Sequence, residues 1–373
     1  MCGISGIFNF NKDKKIDPQK LKLMTDRLYH RGPDGFGYYN QNNVGLGHRR
    51  LSIIDISEGN QPMQNHEKTI CVVFNGEIYN YLELKSDLIK LGHKFKTNSD
   101  TEVIIKSYEE WGVNCQNKFN GMWAFALWDK NKNQLLLSRD RVGEKPLIYS
   151  IFKNSLIFSS EIKSIFEFGV PKIIREELIE LYLVLTNIPG SDTFYENIFK
   201  LLPGHYIVAN NDGYKQYKYW DLPEIDEENM LSNKKFIYEK FTHIFQDSIK
   251  IRMRSDVPFG AFLSGGLDSS SIVSQMSKFS NEPIETFTIG FKNKNFDESE
   301  LANLVSKKFK TSHHLGTVDP KSIESAILYC KNHFDEPFGD SSSIPTNEVS
   351  KFARSKVKMV LTGDGGDEVF GGY

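Results

Sequence analysis

Near Pro223 the chain changes its periodicity, and no single arrangement of sheet and helix accommodates both sides of the change. Upstream, apolar runs are joined by short turns. Met122 to Asp129 and Gln134 to Asp140 flank Lys130 to Asn133, and further hairpins are expected around Lys153-Asn154 and Asn210 to Gly213. A strand is expected near Ile70 to Asn75. Strands that pair with their sequence neighbours predict antiparallel sheets, and several of them predict two packed layers. Asp17 before Pro18 predicts a helix start with the apolar stripe Leu21, Met24 and Leu28. Helices over Tyr81 to Leu91 and Thr101 to Trp111 should close at Gly92 and Gly112, because glycine accepts a left-handed conformation.

Downstream, the polar stretch from Leu222 to Asn233 reads as a linker. A long amphipathic helix should follow, with Ile237, Phe241, Ile244, Phe245, Ser248 and Met253 on or near one face. Strands at Val257 to Leu263, Glu285 to Ile289 and Lys358 to Leu361 then alternate with helices, which predicts a parallel sheet covered by helices. A chain of 373 residues exceeds the size of one hydrophobic core, so two domains are expected, 2–213 and 234–373.

The charge balance bears on partners. With 46 basic and 48 acidic residues the net charge is −2, which leaves no footprint for nucleic acid or an anionic membrane. No apolar run reaches transmembrane length, so a cytoplasmic protein is expected. Cys71, Cys115 and Cys330 show no metal-ligand spacing and read as packing groups. Cys2 is different. With Met1 removed it carries a thiol and a free α-amine on one residue, and an amine of ordinary pKa about 8 can take the thiol proton.

Two further motifs carry chemistry. Ser264-Gly265-Gly266-Leu267-Asp268-Ser269-Ser270 follows an apolar strand and opens a helix, a cradle for a pyrophosphate. It lacks the Lys-Ser/Thr ending of a P-loop, so γ-phosphate transfer is not implied. Thr362-Gly363-Asp364-Gly365-Gly366-Asp367-Glu368 follows a second strand and offers carboxylates suited to magnesium.

Several segments together resemble one family. Cys2-Gly3-Ile4, His30 to Asp34 (HRGPD), His48 to Asp55 (HRRLSIID), Phe74 to Asn80 (FNGEIYN) and Ser99 to Glu102 (SDTE) look like the class II glutamine amidotransferase domain of asparagine synthetases. The serine-glycine loop resembles the PP-loop of enzymes that split ATP between its α- and β-phosphates. The resemblance implies a four-layer αββα, α+β N-terminal domain of the N-terminal-nucleophile kind, followed by an α/β domain with a parallel sheet. It implies that Cys2 attacks the glutamine side-chain amide, with the Asn75 side chain and the Gly76 N–H as oxyanion hole. Arg50 would pair with the glutamine α-carboxylate, and Asp100 and Glu77 would hold its ammonium. The His30 to Asp34 segment would be a turn that shapes the pocket.

For the second domain the resemblance implies ATP as co-substrate and Mg2+, with Asp268 and Asp367 at the metal and pyrophosphate. Ser264, Gly265, Gly266 and Ser269 would line the phosphate loop, Leu263 and Ile289 the adenine and ribose pocket, and Thr362 with Gly363 would contact the nucleotide. Asp364 stands where many members carry glutamate and would act in intermediate formation. The run Asp335 to Pro345 would line the acceptor side. Aspartate, adenylated to β-aspartyl-AMP, would receive ammonia to become asparagine, and a homodimer is admitted. A relative that amidates a sugar acid or a peptide would have the same two halves, and a non-catalytic module would retain only the fold. The family continues beyond Tyr373 into a helical region with an adenylation-site lysine, so the synthetase half is expected to be incomplete.

Overall fold

The computed structural model describes residues 1–372 except 225, 227–230, 292–293, 295–296 and 318–319, so the linker expected at Leu222 to Asn233 lies partly outside the described residues. Two compact units divide the chain. One comprises residues 1–223 with 335–338, the other residues 224–334 with 339–373.

The first unit contains two six-stranded sheets with antiparallel pairing. One runs, in spatial order, Phe199–Lys200, Ile148–Phe152, Ser155–Ser159, Gly3–Asn9, Val44–Arg50 and Gly35–Gln41. The other runs Gly213–Lys218, His205–Asn210, Gln134–Arg139, Gly121–Asp129, Ile70–Ile78 and Met63–Gln64. Successive strand residues point to opposite faces, so Cys71 and Val73 enter the core between the sheets while Val72 and Phe74 enter the core on the other side. A strand buried on both faces needs a continuous apolar run, and Ile70 to Phe74 supplies one.

Helices cover the outer faces. Pro18–Asp26 and Ile162–Phe168 bring Leu21, Met24 and Ile165 against Ile7 and Ile157 of the first sheet. Tyr81–Lys90 and Asp100–Trp111 bring Leu84, Leu88 and Ile104 against Val72 and Phe74 of the second. The result is the expected αββα order. Local signals hold as well: the Asp17 side chain accepts from the Gln19 N–H at 2.9 Å, and Gly92 and Gly112 have φ of 98° and 59°.

The second unit contains a four-stranded, fully parallel sheet in the order Ser312–Thr317, Glu285–Gly290, Phe259–Phe262, Met359–Leu361. From Phe259–Phe262 the chain steps outward twice, then returns to the opposite side with Met359–Leu361. Strand order therefore reverses between these two neighbours, and in such sheets ligands bind beyond the carboxyl ends at the reversal. Ala261, Val273, Met276, Ala302 and Leu361 form one core of this unit, and Phe287 with Ala353 and Val357 another.

The expected long helix is Lys234–Arg252; Phe245, Ile249 and Met253 join it to the core of this unit, while Ile237, Phe241 and Ile244 are exposed. The helix Ser343–Arg354 has no counterpart in the sequence reading; Pro345 stands in its first turn, where the missing N–H costs nothing. Among the described residues no helix is long and apolar enough to cross a membrane.

Phe158 is fully buried between the two sheets of the first unit, where a Cβ on Gly6 would stand 2.2 Å from its ring. Phe158→Ala should destabilise this unit by about 3–5 kcal/mol, measured as a shift in its urea unfolding midpoint at unchanged slope.

Candidate active sites

Cys2 immediately precedes the central strand Gly3–Asn9. Its Sγ accepts from the Leu51 N–H at 3.4 Å and lies 3.6 Å from the Leu51 carbonyl oxygen. Burial raises the thiol pKa, while the adjacent α-amino group, the Leu51 contact and the charges of Arg31 and Arg50 act in the opposite sense. The amino group, here on Met1, is lowered to about 6, first by burial and then by Arg31 and Lys145, against the pull of Cys2 and Glu77. An amine in this setting is largely neutral at pH 7 and can accept a proton.

Asn75 is buried on the strand Ile70–Ile78, and neither its carboxamide oxygen nor its nitrogen has a hydrogen-bond partner. A buried polar group left unpaired costs about 1–3 kcal/mol. Next to it, a Cβ on Gly76 would stand 2.0 Å from the Met122 carbonyl oxygen, so only glycine fits there. Asp100 opens the helix Asp100–Trp111 behind the Ser99 cap, and its Oδ2 accepts from the Ile78 N–H at 3.1 Å. Burial raises its carboxyl to about 6, against hydrogen bonds that lower it. Glu77, also buried, directly precedes Ile78.

The Arg50 guanidinium is fixed by a loop. Nη1 donates to the Ile56 carbonyl at 2.9 Å and to Asn60 Oδ1 at 3.0 Å, and Nη2 donates to the carbonyls of Ile54 at 3.3 Å and Asp55 at 2.6 Å. The His30 to Asp34 turn is fastened to the same place. Asp34 Oδ2 accepts from the Ser52 N–H at 3.0 Å, and the Asp34 N–H donates to the Arg50 carbonyl at 2.9 Å. Sequence reasoning assigned no part to Arg31, Leu51 or Lys145. Arg31 stood inside a motif that had been singled out, but its Nε reaches the Cys2 carbonyl at 2.9 Å across 29 residues of sequence, which spacing alone does not reveal.

In the second unit the loop after Phe259–Phe262 turns at Gly265, whose φ is 90° and where a Cβ would stand 2.6 Å from Leu301 Cβ. Gly266 caps the helix Leu267–Phe279. Ser264 Oγ accepts from the Gly266 N–H at 3.2 Å and lies 3.0 Å from Ser269 Oγ, while the Ser270 hydroxyl is buried without a partner. Asp268 reaches the second glycine-rich loop: a Cβ on Gly366 would stand 2.7 Å from its Cγ, and one on Gly363 3.1 Å from its Cβ. The two loops meet where the strand order reverses.

The remaining residues are placed unevenly. Asp364 is exposed and accepts from the Thr362 hydroxyl at 2.9 Å. Asp367 Oδ1 is turned toward Gly372, where a Cβ would stand 2.0 Å away. The Leu263 side chain lies in the core, and its carbonyl accepts from the Thr288 hydroxyl, so only its main chain edges the crevice. Ile289 lies at the carboxyl end of the adjacent strand. The run Asp335 to Pro345 is divided: Asp335 to Phe338 belong to the first unit, and the helix Ser343–Arg354 to the second. Among the described residues no group of three or more His, Cys, Asp and Glu side chains could hold a metal ion.

An antiparallel αββα unit followed by a doubly wound parallel sheet defines a two-part protein, and family comparison identifies both parts: residues 1–220 match the glutamine amidotransferase domain and residues 240–373 match asparagine synthase. All of the chain aligns at 43% identity with a putative glutamine-hydrolysing asparagine synthetase 2 of Methanocaldococcus jannaschii, covering 76% of that protein. It aligns at 36% with glutamine-hydrolysing asparagine synthetase 1 of Bacillus subtilis, covering 59% of it, and at 34% with amidase chry2 of Gibberella zeae, also covering 59%. The chain belongs to the family of glutamine-hydrolysing asparagine synthetases.

The pKa of Asp100 gives a prediction about stability. Its folded value of about 6 lies above the ordinary 3.8, so the folded chain holds this proton more tightly, and stability falls as pH rises from 4 to 6. Asp100→Asn should therefore stabilise the protein at pH 7.5 by ~2 kcal/mol and bring no gain at pH 4, as read from urea unfolding of variant and parent at both pH values.

Proposed function

We propose that this chain hydrolyses glutamine at Cys2 and passes the ammonia to a carboxylate, that of aspartate, activated with ATP in the second unit. The observation that carries the first half is the unpaired, buried Asn75 carboxamide on the strand that continues into Glu77. Its N–H group suits an oxygen that gains charge as Cys2 attacks the glutamine amide, because an uncharged donor already in place needs no reorganisation. The α-amine of Cys2, freed by removal of Met1, takes the thiol proton and returns it to the leaving ammonia, and water then cleaves the Cys2 thioester to give glutamate and the free thiol. Buried Asp100 and Glu77 hold the substrate ammonium, and a cation there favours the ionised form of Asp100. Arg50, its four Nη N–H groups held by the loop 54–60, offers a fixed positive charge to the α-carboxylate.

In the second unit, the serine-glycine loop and the N-terminus of Leu267–Phe279 hold the pyrophosphate portion of ATP. Asp268 and Asp367 are the carboxylates that would hold Mg2+, which neutralises phosphate charge and commonly uses only one or two protein carboxylates beside phosphate oxygens. Asp364, exposed on the second glycine-rich loop, would act in intermediate formation. Attack of the aspartate β-carboxylate on the α-phosphate yields β-aspartyl-AMP and pyrophosphate, and ammonia then displaces AMP. A second acceptor class is favoured by the similarity to amidase chry2, and comparing aspartate with other carboxylic acids in the pyrophosphate assay decides between them.

Three variants test the scheme. Cys2→Ala should reduce glutamate release by about three orders of magnitude or more and, in a full-length version, leave ammonia-dependent pyrophosphate release unchanged; appreciable glutamate release by this variant sinks the nucleophile assignment. In a version extended by a relative's C-terminal region, Asp268→Asn should lower aspartate-dependent pyrophosphate release about a hundredfold, with glutamate release changed by less than about twofold. Protein that retains Met1, made by expression without the aminopeptidase, should hydrolyse no glutamine, since its residue-2 nitrogen is an amide. Mass spectrometry of the N-terminus beside the activity assay checks this.

A further inference from the structure

Four residues from the second half of the chain, Asp335 to Phe338, belong to the first unit, although the residues before and after them belong to the second. Two acidic side chains fasten them. Asp335 Oδ2 accepts from the Lys163 main-chain N–H at 3.2 Å, Asp335 Oδ1 lies 3.3 Å from Lys163 Nζ, and the Asp335 carbonyl accepts from the Tyr195 hydroxyl at 3.1 Å. Glu336 accepts from the Phe194 N–H at 2.6 Å and lies 4.0 Å from Lys200 Nζ.

Lys163 does not stop at Asp335. Its Nζ also lies 2.9 Å from Glu161 Oε2, while Glu161 Oε1 accepts from Arg31 Nη1 at 2.8 Å and faces His30 Nε2 at 3.0 Å. Arg31 Nε then donates to the Cys2 carbonyl at 2.9 Å. The side chains of Arg31, Glu161, Lys163 and Asp335 are 9%, 15%, 11% and 13% exposed, so the charges interact with little screening. Arg31 Nη2 is buried without a partner, so the guanidinium plane is set by Glu161 on one side and by Cys2 on the other. Arg31 thus joins the Glu161 carboxylate to the Cys2 main chain.

We propose that Asp335 is a positioning residue for the glutamine-hydrolysing site: through Lys163, Glu161 and Arg31 it sets the main-chain orientation of Cys2. The proposal rests on Cys2 being the nucleophile. Residues 1–223 therefore contain every residue assigned to glutamine but lack Asp335. Glu336 shares the strap without touching the relay, which separates positioning from mere support.

The test uses the full chain with Met1 removed and compares the parent, Asp335→Asn, Asp335→Glu and Glu336→Gln. Glutamate release is measured as kcat and KM, with the rate of alkylation by iodoacetamide mapped by peptide mass. Asp335→Asn should lower kcat about tenfold, the scale that misplacing a reacting group reaches readily, with KM changed less than about twofold. Alkylation at Cys2 should change rate in the same variant. Asp335→Glu should recover most of kcat, and Glu336→Gln should stay near the parent. Equal losses in Asp335→Asn and Glu336→Gln, an unchanged kcat in Asp335→Asn, or loss of its cooperative melting transition would each overturn the relay. Glutamate release from a Cys2→Ala control would overturn the nucleophile instead, so the two failures are told apart.

Discussion

The strand Gly3–Asn9 has no free face, and the first unit depends on that. Strands pair with it on both edges, Ile4 and Phe8 enter the core between the sheets, and Ile7 enters the core under the helices. A chain terminus is normally where order fails first. Here Cys2 stands at the start of a fully buried strand, so it has the positional precision of a core residue while remaining partly accessible. Gly6 shows how tight the enclosure is, since its missing side chain is the space that Phe158 fills.

The second unit solves its positioning problem by topology. A parallel sheet turns every strand's carboxyl end the same way, and the reversal beside Phe259–Phe262 leaves two neighbouring loops with no crossover connection between them. The glycines at 363 and 366 then let the second loop approach Asp268 closely, because side chains there would collide with its carboxyl group. Anion-binding backbone and a carboxylate are thus brought to one place by two segments almost a hundred residues apart.

Much of this was legible in the sequence, and what was not shares a cause. The hairpins, the capped helices and the alternation after Pro223 are local, and local signals carried them. The serine-glycine loop was readable because a phosphate cradle is built from consecutive residues. The environment of Cys2 is built otherwise. Leu51, Arg31 and Glu161 meet it or one another across 49, 29 and 130 residues, and no periodicity encodes those distances. Arg50 shows the same limit: its place in a motif suggested a partner for an anion, whereas its packing also makes it the clamp of the loop 54–60. Ile237, Phe241 and Ile244 lie exposed on the expected helix, since an apolar stripe states what a helix can bury and not what stands against it.

The contrast between Asn75 and Arg50 shows how stability and chemistry are divided in the first unit. Arg50 donates four hydrogen bonds to its own loop, and its charge is satisfied before any ligand arrives. Asn75 makes none with its side chain, and burial denies it water as well. Asp100 lies between these extremes, accepting from Ile78 yet pushed toward its neutral form by burial. A ligand that supplies an oxygen to Asn75 and a cation to Asp100 therefore relieves two unfavourable burials at once, whereas Arg50 needs no such relief. Selectivity then follows from what is left unsatisfied: a molecule lacking either group binds where those burials persist.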